Sequence, residues 1–320
     1  MDDQIAQIMP YSKIVGQEDL KLALELSYIA PRIGGVLISG QKGTGKSTTV
    51  RAFALMMWGK LPVTLPINAT EDRVIGGWKI DELLKSNDVW QEGVLIEAND
   101  EMLYIDEVNL LDDHIVNIIL DSTSTGVLVI QREGKSYTES VNFSLVGTMN
   151  PDEGGLRPQL LDRFGLLVEV RAEAAPNIRA QILRNVLDFD QALLSLRKGL
   201  PNNFFDTALG ENRQKKDSLE EAKQRFENPA SPIGISEPLV DKCAELAEKL
   251  KAEGHRGDYV CAIAAKALAA WEGKKSVGPK HLKRVARLAF QHRKAGSALT
   301  ENTAWTEETE RIVREVFDTK

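Results

Sequence analysis

Cysteine and long apolar runs are scarce in this sequence, and each scarcity excludes a class of protein. The chain has two cysteines, Cys243 and Cys261, and both lie in apolar stretches with helical spacing rather than at the spacing of metal ligands. We therefore expect two reduced core cysteines and a reducing compartment. No apolar run approaches the roughly 18 residues of a membrane-spanning helix, so we expect no membrane span.

An excess of positive charge is also missing. The formal net charge of -7 over 320 residues opposes nonspecific binding to phosphate backbones and anionic membranes, so we expect no nucleic-acid partner. Residues 1–12 have neither a signal-peptide pattern nor the arginine and serine richness of a transit peptide. The expected location is the cytoplasm, or the plastid stroma if the organism has plastids. The 42% hydrophobic content predicts a large core and two domains.

A glycine-rich turn between a predicted buried strand and a predicted helix indicates a phosphate site. The letters GQKGTGKS match the phosphate-binding loop G-x-x-x-x-G-K-S. In such loops backbone N–H groups surround the phosphates, the lysine reaches the outer phosphates and the serine hydroxyl binds Mg²⁺. An ordinary glycine-rich turn is the alternative, which the flanking strand and helix disfavour. The predicted nucleotide-binding residues are Gly40, Gln41, Lys42, Gly43, Thr44, Gly45, Lys46, Ser47 and Thr48.

Polar side chains end two further predicted strands. In LYIDE, Asp106 is predicted to hold Mg²⁺ and Glu107 to polarise the attacking water. Asn150 ends a strand that is expected beside the Asp106 strand, which would place its amide near the γ-phosphate and this water. The alternatives are a helix N-cap for the two acids and a turn residue before Pro151 for Asn150.

Strands that alternate with helices predict a mainly parallel sheet. Residues 62–92 interrupt this alternation as an insertion, in which we expect Trp78 and Trp90 to be at least partly exposed. A second insertion, around Glu133-Gly134-Lys135, has the pattern of a β-hairpin. The predicted domains are a nucleotide-binding domain at 1–187, a polar connector at 188–232 and an all-helical domain at 233–320.

The order of these motifs resembles the I-type ATPase subunit of magnesium chelatase, an AAA+ family. The segments that carry the resemblance extend over most of residues 11–295. They are IVGQEDLKLAL, GTGKST, ATEDRVIGG, LYIDEVNLLDDHIVN, VGTMNPDEGGLRPQLLDRFGL and GHRGDYVCAIAAKALAAWEG. The resemblance implies an AAA+ P-loop domain with a mainly parallel five-stranded sheet, β-hairpin and helix-2 insertions and a separate all-helical C-terminal lid.

The resemblance also implies roles for residues that the motifs alone do not assign. Arg163 matches the arginine finger and Arg256 the second sensor arginine on the lid, while Ile14, Val15 and Gly16 match the segment near the adenine. The implied cofactors are ATP and Mg²⁺. The implied partners are further copies in a homo-oligomeric ring, a von Willebrand-like D-type subunit and a porphyrin-binding H-type subunit, which together insert Mg²⁺ into protoporphyrin IX.

Three other functions compete with this interpretation. A MoxR-like chaperone that matures another metalloenzyme would share most of these motifs. A nucleic-acid remodelling ATPase would use similar insertions, but the predicted hairpin tip is nearly neutral, whereas a DNA-tracking loop should be basic. An inactive scaffold is disfavoured because the residues expected to act in hydrolysis are all present, namely Lys46, Asp106, Glu107, Asn150, Arg163 and Arg256.

Overall fold

A parallel five-stranded sheet forms the centre of the part of the chain that contains the glycine-rich turn. The computed structural model describes residues 7–78, 90–132, 135–294 and 305–318. The strands of the sheet are β1 Val36–Ser39, β2 Val63–Leu65, β5 Met102–Ile105, β8 Ser144–Met149 and β9 Leu166–Glu169. Their order is β2-β5-β8-β1-β9, and every neighbouring pair is parallel. The expected sheet is confirmed, and its phosphate-loop strand lies between β8 and β9.

Helices cover both faces of this sheet, which explains why its strands appear in the sequence as short continuous apolar runs. On β1, Val36 and Ile38 pack in one core with the helices at Glu18–Ile29 and Lys46–Trp58, whereas Leu37 packs in a second core with the helix at Asp113–Thr125. The helices are α1 Glu18–Ile29, α2 Lys46–Trp58, α3 Glu71–Ile75, α4 Val94–Glu97, α5 Asp113–Thr125, α6 Pro158–Arg163, α7 Pro176–Arg197, α8 Asn203–Glu227, α9 Glu237–Lys249, α10 Arg256–Trp271, α11 Pro279–Phe290 and α12 Glu307–Asp318.

Two antiparallel strand pairs lie outside the main sheet. Strand β3, Gly76–Trp78, pairs with β4, Trp90–Glu92, within the predicted insertion. The side chains of Trp78 and Trp90 lie outside the described residues, so their expected exposure stays a prediction. Strand β6, Val127–Arg132, pairs with β7, Lys135–Ser140, as the predicted hairpin requires, while residues 133–134 at its tip lie outside the described part of the chain.

Two long helices, α7 and α8, occupy much of the segment predicted as a connector. They pack on each other through Phe189, Ala192 and Phe205, with Met9 against this cluster. Helix α7 continues through residue 187 without a break. The proposed division of the chain at residues 187 and 232 stays a prediction. No helix in the described ranges is long and apolar enough to cross a membrane.

The C-terminal helices dock on the sheet through a buried arginine. The Arg293 side chain is fully buried. Its guanidinium donates to the carbonyl oxygens of Asp162 at 2.7 Å, Phe164 at 2.6 Å and Gly165 at 2.9 Å, and its Nε lies 2.9 Å from Asp162 Oδ1. Burial lowers the pKa of Arg293 to about 10, although the Asp162 carboxylate opposes this shift. His292 Nε2 lies 3.0 Å from the Phe164 carbonyl. The backbone just before β9 is therefore fixed by the lid.

Replacement of this arginine should loosen the lid. Arg293→Met removes the hydrogen bonds of the guanidinium and takes this donor away from the buried carbonyls of Asp162 and Gly165, so we expect the free energy of unfolding to fall by at least about 3 kcal/mol. Urea denaturation measures the change. The matched control is Arg287→Met, because Arg287 is 39% exposed and 3.7 Å from Glu169, an arrangement worth less than about 1 kcal/mol. Equal losses for the two variants would contradict the assigned role of Arg293.

Candidate functional site

The glycine-rich loop connects the carboxyl end of β1 to the start of α2. Gly43 and Gly45 have φ angles of 79° and 80°, a region that glycine occupies without strain. At Gly40 a Cβ atom would lie 2.2 Å from the Val170 carbonyl oxygen, so the close approach of the loop to the end of β9 requires glycine. The loop is thereby held at the amino end of α2, where N–H groups without helical partners favour an anion.

Lys46 is the first residue of α2 and is held within the loop. Its ammonium group donates to the carbonyl oxygens of Gly40 and, at 2.8 Å, of Gln41. Burial lowers the pKa of Lys46, and the carboxylates of Asp106 and Glu107 oppose this shift. The positive charge of the loop therefore faces the acids that end β5.

A hydrogen-bonded network joins the loop to β5 and β8. The Tyr104 hydroxyl oxygen lies 2.9 Å from Ser47 Oγ and 2.9 Å from Asp106 Oδ1. The Thr148 hydroxyl donates to the same oxygen of Asp106 at 2.5 Å. Burial is the main cause that raises the pKa of Tyr104, so this phenol stays a neutral hydrogen-bonding group. The predicted Mg²⁺ residues, Ser47 and Asp106, are thus connected through one tyrosine.

Glu107, two residues after the end of β5, has an unusual backbone conformation. Its φ angle is 54°, in the left-handed region that few non-glycine residues adopt, and its N–H donates to the Thr148 hydroxyl at 3.2 Å. Lys42 Nζ lies 3.8 Å from Glu107 Oε1 and 2.6 Å from Glu153 Oε1. The hydrogen bond with Glu153 is the main cause that raises the pKa of Lys42 and lowers that of Glu153.

Asn150 lies at the same edge of the sheet. It follows β8, which pairs with β5, and it is 7% exposed. Its side-chain oxygen accepts a hydrogen bond from the N–H of Asp152 at 3.3 Å, so it also has the turn role that was its alternative. Because parallel strands end at one edge of a sheet, β1, β5 and β8 bring the phosphate loop, the two acids and Asn150 together.

A cavity of about 950 Å³ adjoins the loop. Ile14, Val15 and Gly16 form part of its wall, together with residues of the loop, of α7 and of the segment after β9. Gln17 fixes this wall to the loop, because its amide donates to the Thr44 carbonyl and accepts from the Thr49 hydroxyl at 2.9 Å. The three residues assigned to the adenine by resemblance therefore lie beside the phosphate loop.

The two predicted arginines lie at the opposite edge of the sheet. A Cβ atom at Gly34, which precedes β1, would lie 3.5 Å from the Arg163 carbonyl. The Arg163 guanidinium pairs with Asp121, and Arg256 Nη2 donates to Ser124 Oγ at 3.3 Å. Both partners belong to the last turns of α5. At about 3.3 Å per residue, β1 separates this edge from the phosphate loop by roughly 15–20 Å.

Sequence reasoning missed three residues that organise the site. Tyr104 precedes Asp106 by two positions, and Thr148 precedes Asn150 by two positions. Residues two apart on a strand share a face, so the polar groups of Tyr104 and Thr148 near the strand ends could have indicated that they join the site. Gln17 has a φ angle of 56°, which its sequence context does not reveal.

Two family descriptions match this architecture. Residues 35–164 match the AAA domain of the dynein-related subfamily, and residues 240–316 match the AAA lid domain. The first range contains the phosphate loop, the acids, Asn150 and Arg163, and the second contains Arg256. The fold and site therefore define an AAA-type nucleotide-binding protein with a helical lid.

Proteins of one metal-chelating system match along almost the whole chain. The magnesium-chelatase subunit ChlI of Porphyra purpurea is 36% identical, covering 99% of this chain and 96% of that protein. The magnesium-chelatase 38 kDa subunit of Rhodobacter capsulatus is 37% identical over 98% of this chain and 94% of that protein. A chain of the complex between subunits BchI and BchD of magnesium chelatase is 36% identical, with a TM-score of 0.50 over 92% of this chain and 99% of that chain. This chain belongs to the magnesium-chelatase ChlI family.

The Tyr104 network generates a prediction about Mg²⁺. Tyr104→Phe removes the hydroxyl that orients Ser47 and Asp106, so the Mg²⁺ concentration for half-maximal nucleotide hydrolysis should rise about tenfold. A Mg²⁺ titration at saturating nucleotide measures this. Tyr259→Phe is the matched control, because Tyr259 is 49% exposed. An unchanged Mg²⁺ requirement in Tyr104→Phe would show that the network does not support a metal site.

Proposed function

We propose that the chain is the ATP-hydrolysing motor subunit of a magnesium chelatase. It drives insertion of Mg²⁺ into protoporphyrin IX together with a D-type and an H-type subunit. The observation that carries this proposal is the similarity of 36–37% over 98–99% of the chain to proteins named as magnesium-chelatase subunits. The expected hydrolytic residues at the carboxyl edge of the sheet support it.

The donor set near the phosphate loop fits Mg²⁺. Ser47 Oγ and Asp106 Oδ1 are hard oxygen donors, and Tyr104 holds them in one network. Mg²⁺ prefers such oxygens and commonly completes its coordination with water and substrate phosphates. When bound there with ATP, the ion neutralises charge on the β- and γ-phosphates.

The remaining polar groups at the carboxyl edge of the sheet have different roles in ATP binding and hydrolysis. Lys46 exchanges its bonds to loop carbonyls for phosphate oxygens and thereby binds the outer phosphates. Glu107 orients and polarises the attacking water, and Asn150 lies on the neighbouring strand, where its amide contacts the γ-phosphate or this water. Ile14, Val15 and Gly16 contact the adenine. These roles follow the family resemblance and agree with the positions of the side chains.

Arg163 and Arg256 act on the ATP of a neighbouring subunit. Each lies at the end of α5 distant from its own phosphate loop, so neither reaches its own γ-phosphate while β1 stays intact. A guanidinium supplied in trans stabilises charge that develops on the γ-phosphoryl group. Contacts that join two different surfaces head to tail close into a ring when the rotation permits, and this is the homo-oligomer that we propose.

The roles of Glu107 and Lys46 separate in their variants. Glu107→Gln keeps a polar group of the same shape but loses the charge that polarises water, so ATP binding should persist while kcat falls steeply. Lys46→Ala removes a phosphate ligand and should weaken binding itself. Equilibrium titration with ATP and steady-state hydrolysis distinguish the two effects. Equal loss of binding in both variants, or normal hydrolysis by Glu107→Gln, would contradict these roles.

A mixing experiment tests Arg163 in trans. Lys46→Ala retains the finger but loses a phosphate ligand, and Arg163→Ala retains the phosphate loop but loses the finger, which contributes about 10³–10⁵ in kcat. Each variant alone should therefore be nearly inactive. With free subunit exchange, roughly a quarter of the interfaces in an equal mixture pair an intact loop with an intact finger, so ATPase activity should reappear. Exchange is measured separately by fluorescence energy transfer. With exchange demonstrated, no recovery at any ratio would assign Arg163 to a role within its own subunit.

The chelatase assignment is tested with D-type and H-type partners from the same organism. The complete mixture should form magnesium protoporphyrin, detected by its fluorescence, and formation should require ATP and an intact Glu107. ATP hydrolysis without product in the presence of competent partners would reject the chelatase function and would favour a MoxR-like chaperone. Absence of hydrolysis would reject the motor function as well.

A further inference from the structure

The wall of the nucleotide cavity that includes Ile14, Val15 and Gly16 has little regular structure of its own. It lies between a single 3₁₀ turn, Tyr11–Lys13, and the start of α1. Its few internal hydrogen bonds include one from the N–H of Ile14 to the Tyr11 carbonyl at 3.2 Å. The position of this wall therefore depends on contacts with other elements.

Helix α8 supplies several of those contacts. The N–H of Ser12 donates to Asn212 Oδ1 at 2.9 Å, and the Ser12 hydroxyl donates to the Ala208 carbonyl at 3.3 Å. One residue further on, Lys13 Nζ lies 2.8 Å from a carboxylate oxygen of Glu211. This hydrogen bond from Lys13 is the main cause that lowers the pKa of Glu211. Three residues on one turn of α8 thus hold the start of the cavity wall.

Helix α8 is itself held by contacts with α1, α10 and the core, so its contacts with the cavity wall fix the position of that wall. Lys215, about one turn beyond Asn212, lies 3.0 Å from Glu25 of α1, a residue that is 2% exposed. The same ammonium group lies 4.1 Å from the centre of the Trp271 ring in α10. Leu219 and Ala222 are fully buried in the core that α1 and α2 share. A hydrogen bond to α8 therefore fixes the cavity wall relative to the body of the protein.

We propose that Asn212 is a positioning residue for the nucleoside part of the bound nucleotide, reinforced by the Lys13–Glu211 ion pair. It holds Ser12, and through Ser12 it sets where Ile14, Val15 and Gly16 meet the base. The inference rests on the proposed function, because it takes the ligand to be a nucleoside triphosphate. A wall that is ordered before binding loses less conformational entropy when the ligand binds, so loss of this contact lowers affinity.

The position of Asn212 predicts a selective effect. The phosphates bind to the loop at the other end of the cavity, and Asn212 has no contact with that loop among its hydrogen bonds in the described residues. An Asn212 variant should therefore bind the base less well while its phosphate loop stays intact. Inorganic tripolyphosphate with Mg²⁺ is a probe of the loop alone, whereas ATP with Mg²⁺ probes the loop and the wall together.

The experiment compares Asn212→Ala with two matched variants. Asn212→Asp keeps an oxygen that accepts from the Ser12 N–H and should retain affinity. Gln214→Ala removes an exposed amide two residues further along α8 and is the control. Calorimetric titration should show the Kd for ATP raised about three- to tenfold in Asn212→Ala, the value of one hydrogen bond, with the Kd for tripolyphosphate unchanged. Thermal unfolding of each unliganded variant verifies that the titrated protein is folded.

The outcomes separate this inference from the function on which it rests. If the wild-type protein binds ATP and Asn212→Ala binds ATP equally well, Asn212 does not position the wall. Equal weakening of ATP and tripolyphosphate would show a general structural role, and this also overturns the inference. Loss of affinity in Asn212→Asp equal to that in Asn212→Ala has the same consequence, because the acceptor oxygen would then be irrelevant. Failure of the wild-type protein to bind ATP would reject the proposed function together with the inference.

Discussion

The length of strand β1 is the constraint on which the arrangement of this protein depends. The segment that contains this strand leads from Gly34, beside the Arg163 backbone, to Gly40, the first residue of the phosphate loop. It is hydrogen-bonded on both sides, to β8 and β9, so it cannot shorten or bend without breaking the sheet. The phosphate loop and the two arginines are therefore held at opposite edges of the sheet, and this separation is the basis of the trans role proposed for the arginines.

The lid holds the backbone at the edge of the sheet where Arg163 lies. Arg293 donates to backbone carbonyls on both sides of Arg163, at Asp162 and Phe164. Arg256 lies close enough to Arg293 to contribute to its lowered pKa. Three guanidinium groups thus meet at one edge, and carboxylates of Asp121 and Asp162 offset part of their repulsion.

The sequence was sufficient for the fold and for the set of polar side chains at the carboxyl edge of the sheet, because both depend on short local patterns. The loop letters, the apolar strands and the polar residues that follow them determine which side chains meet at the carboxyl edge of a parallel sheet. The partners of Asn212 could not be predicted. They join residues 12 and 212, and no local pattern indicates which long-range surfaces meet. The same limit applies to Arg293, because its burial depends on how α11 docks on the sheet.

Gln17 connects the cavity wall at Ile14, Val15 and Gly16 to the phosphate loop. Its side chain bridges the cavity wall and the phosphate loop by bonds to Thr44 and Thr49, while Asn185 of α7 donates to the Lys13 carbonyl at 2.8 Å. The wall is thus held from α2, α7 and α8 at once. Helix α8 also contacts α10, because Arg225 Nε of α8 donates to the Ala270 carbonyl of α10 at 3.0 Å. Because α10 begins with Arg256, packed helices connect the cavity wall to the edge of the sheet where Arg256 lies.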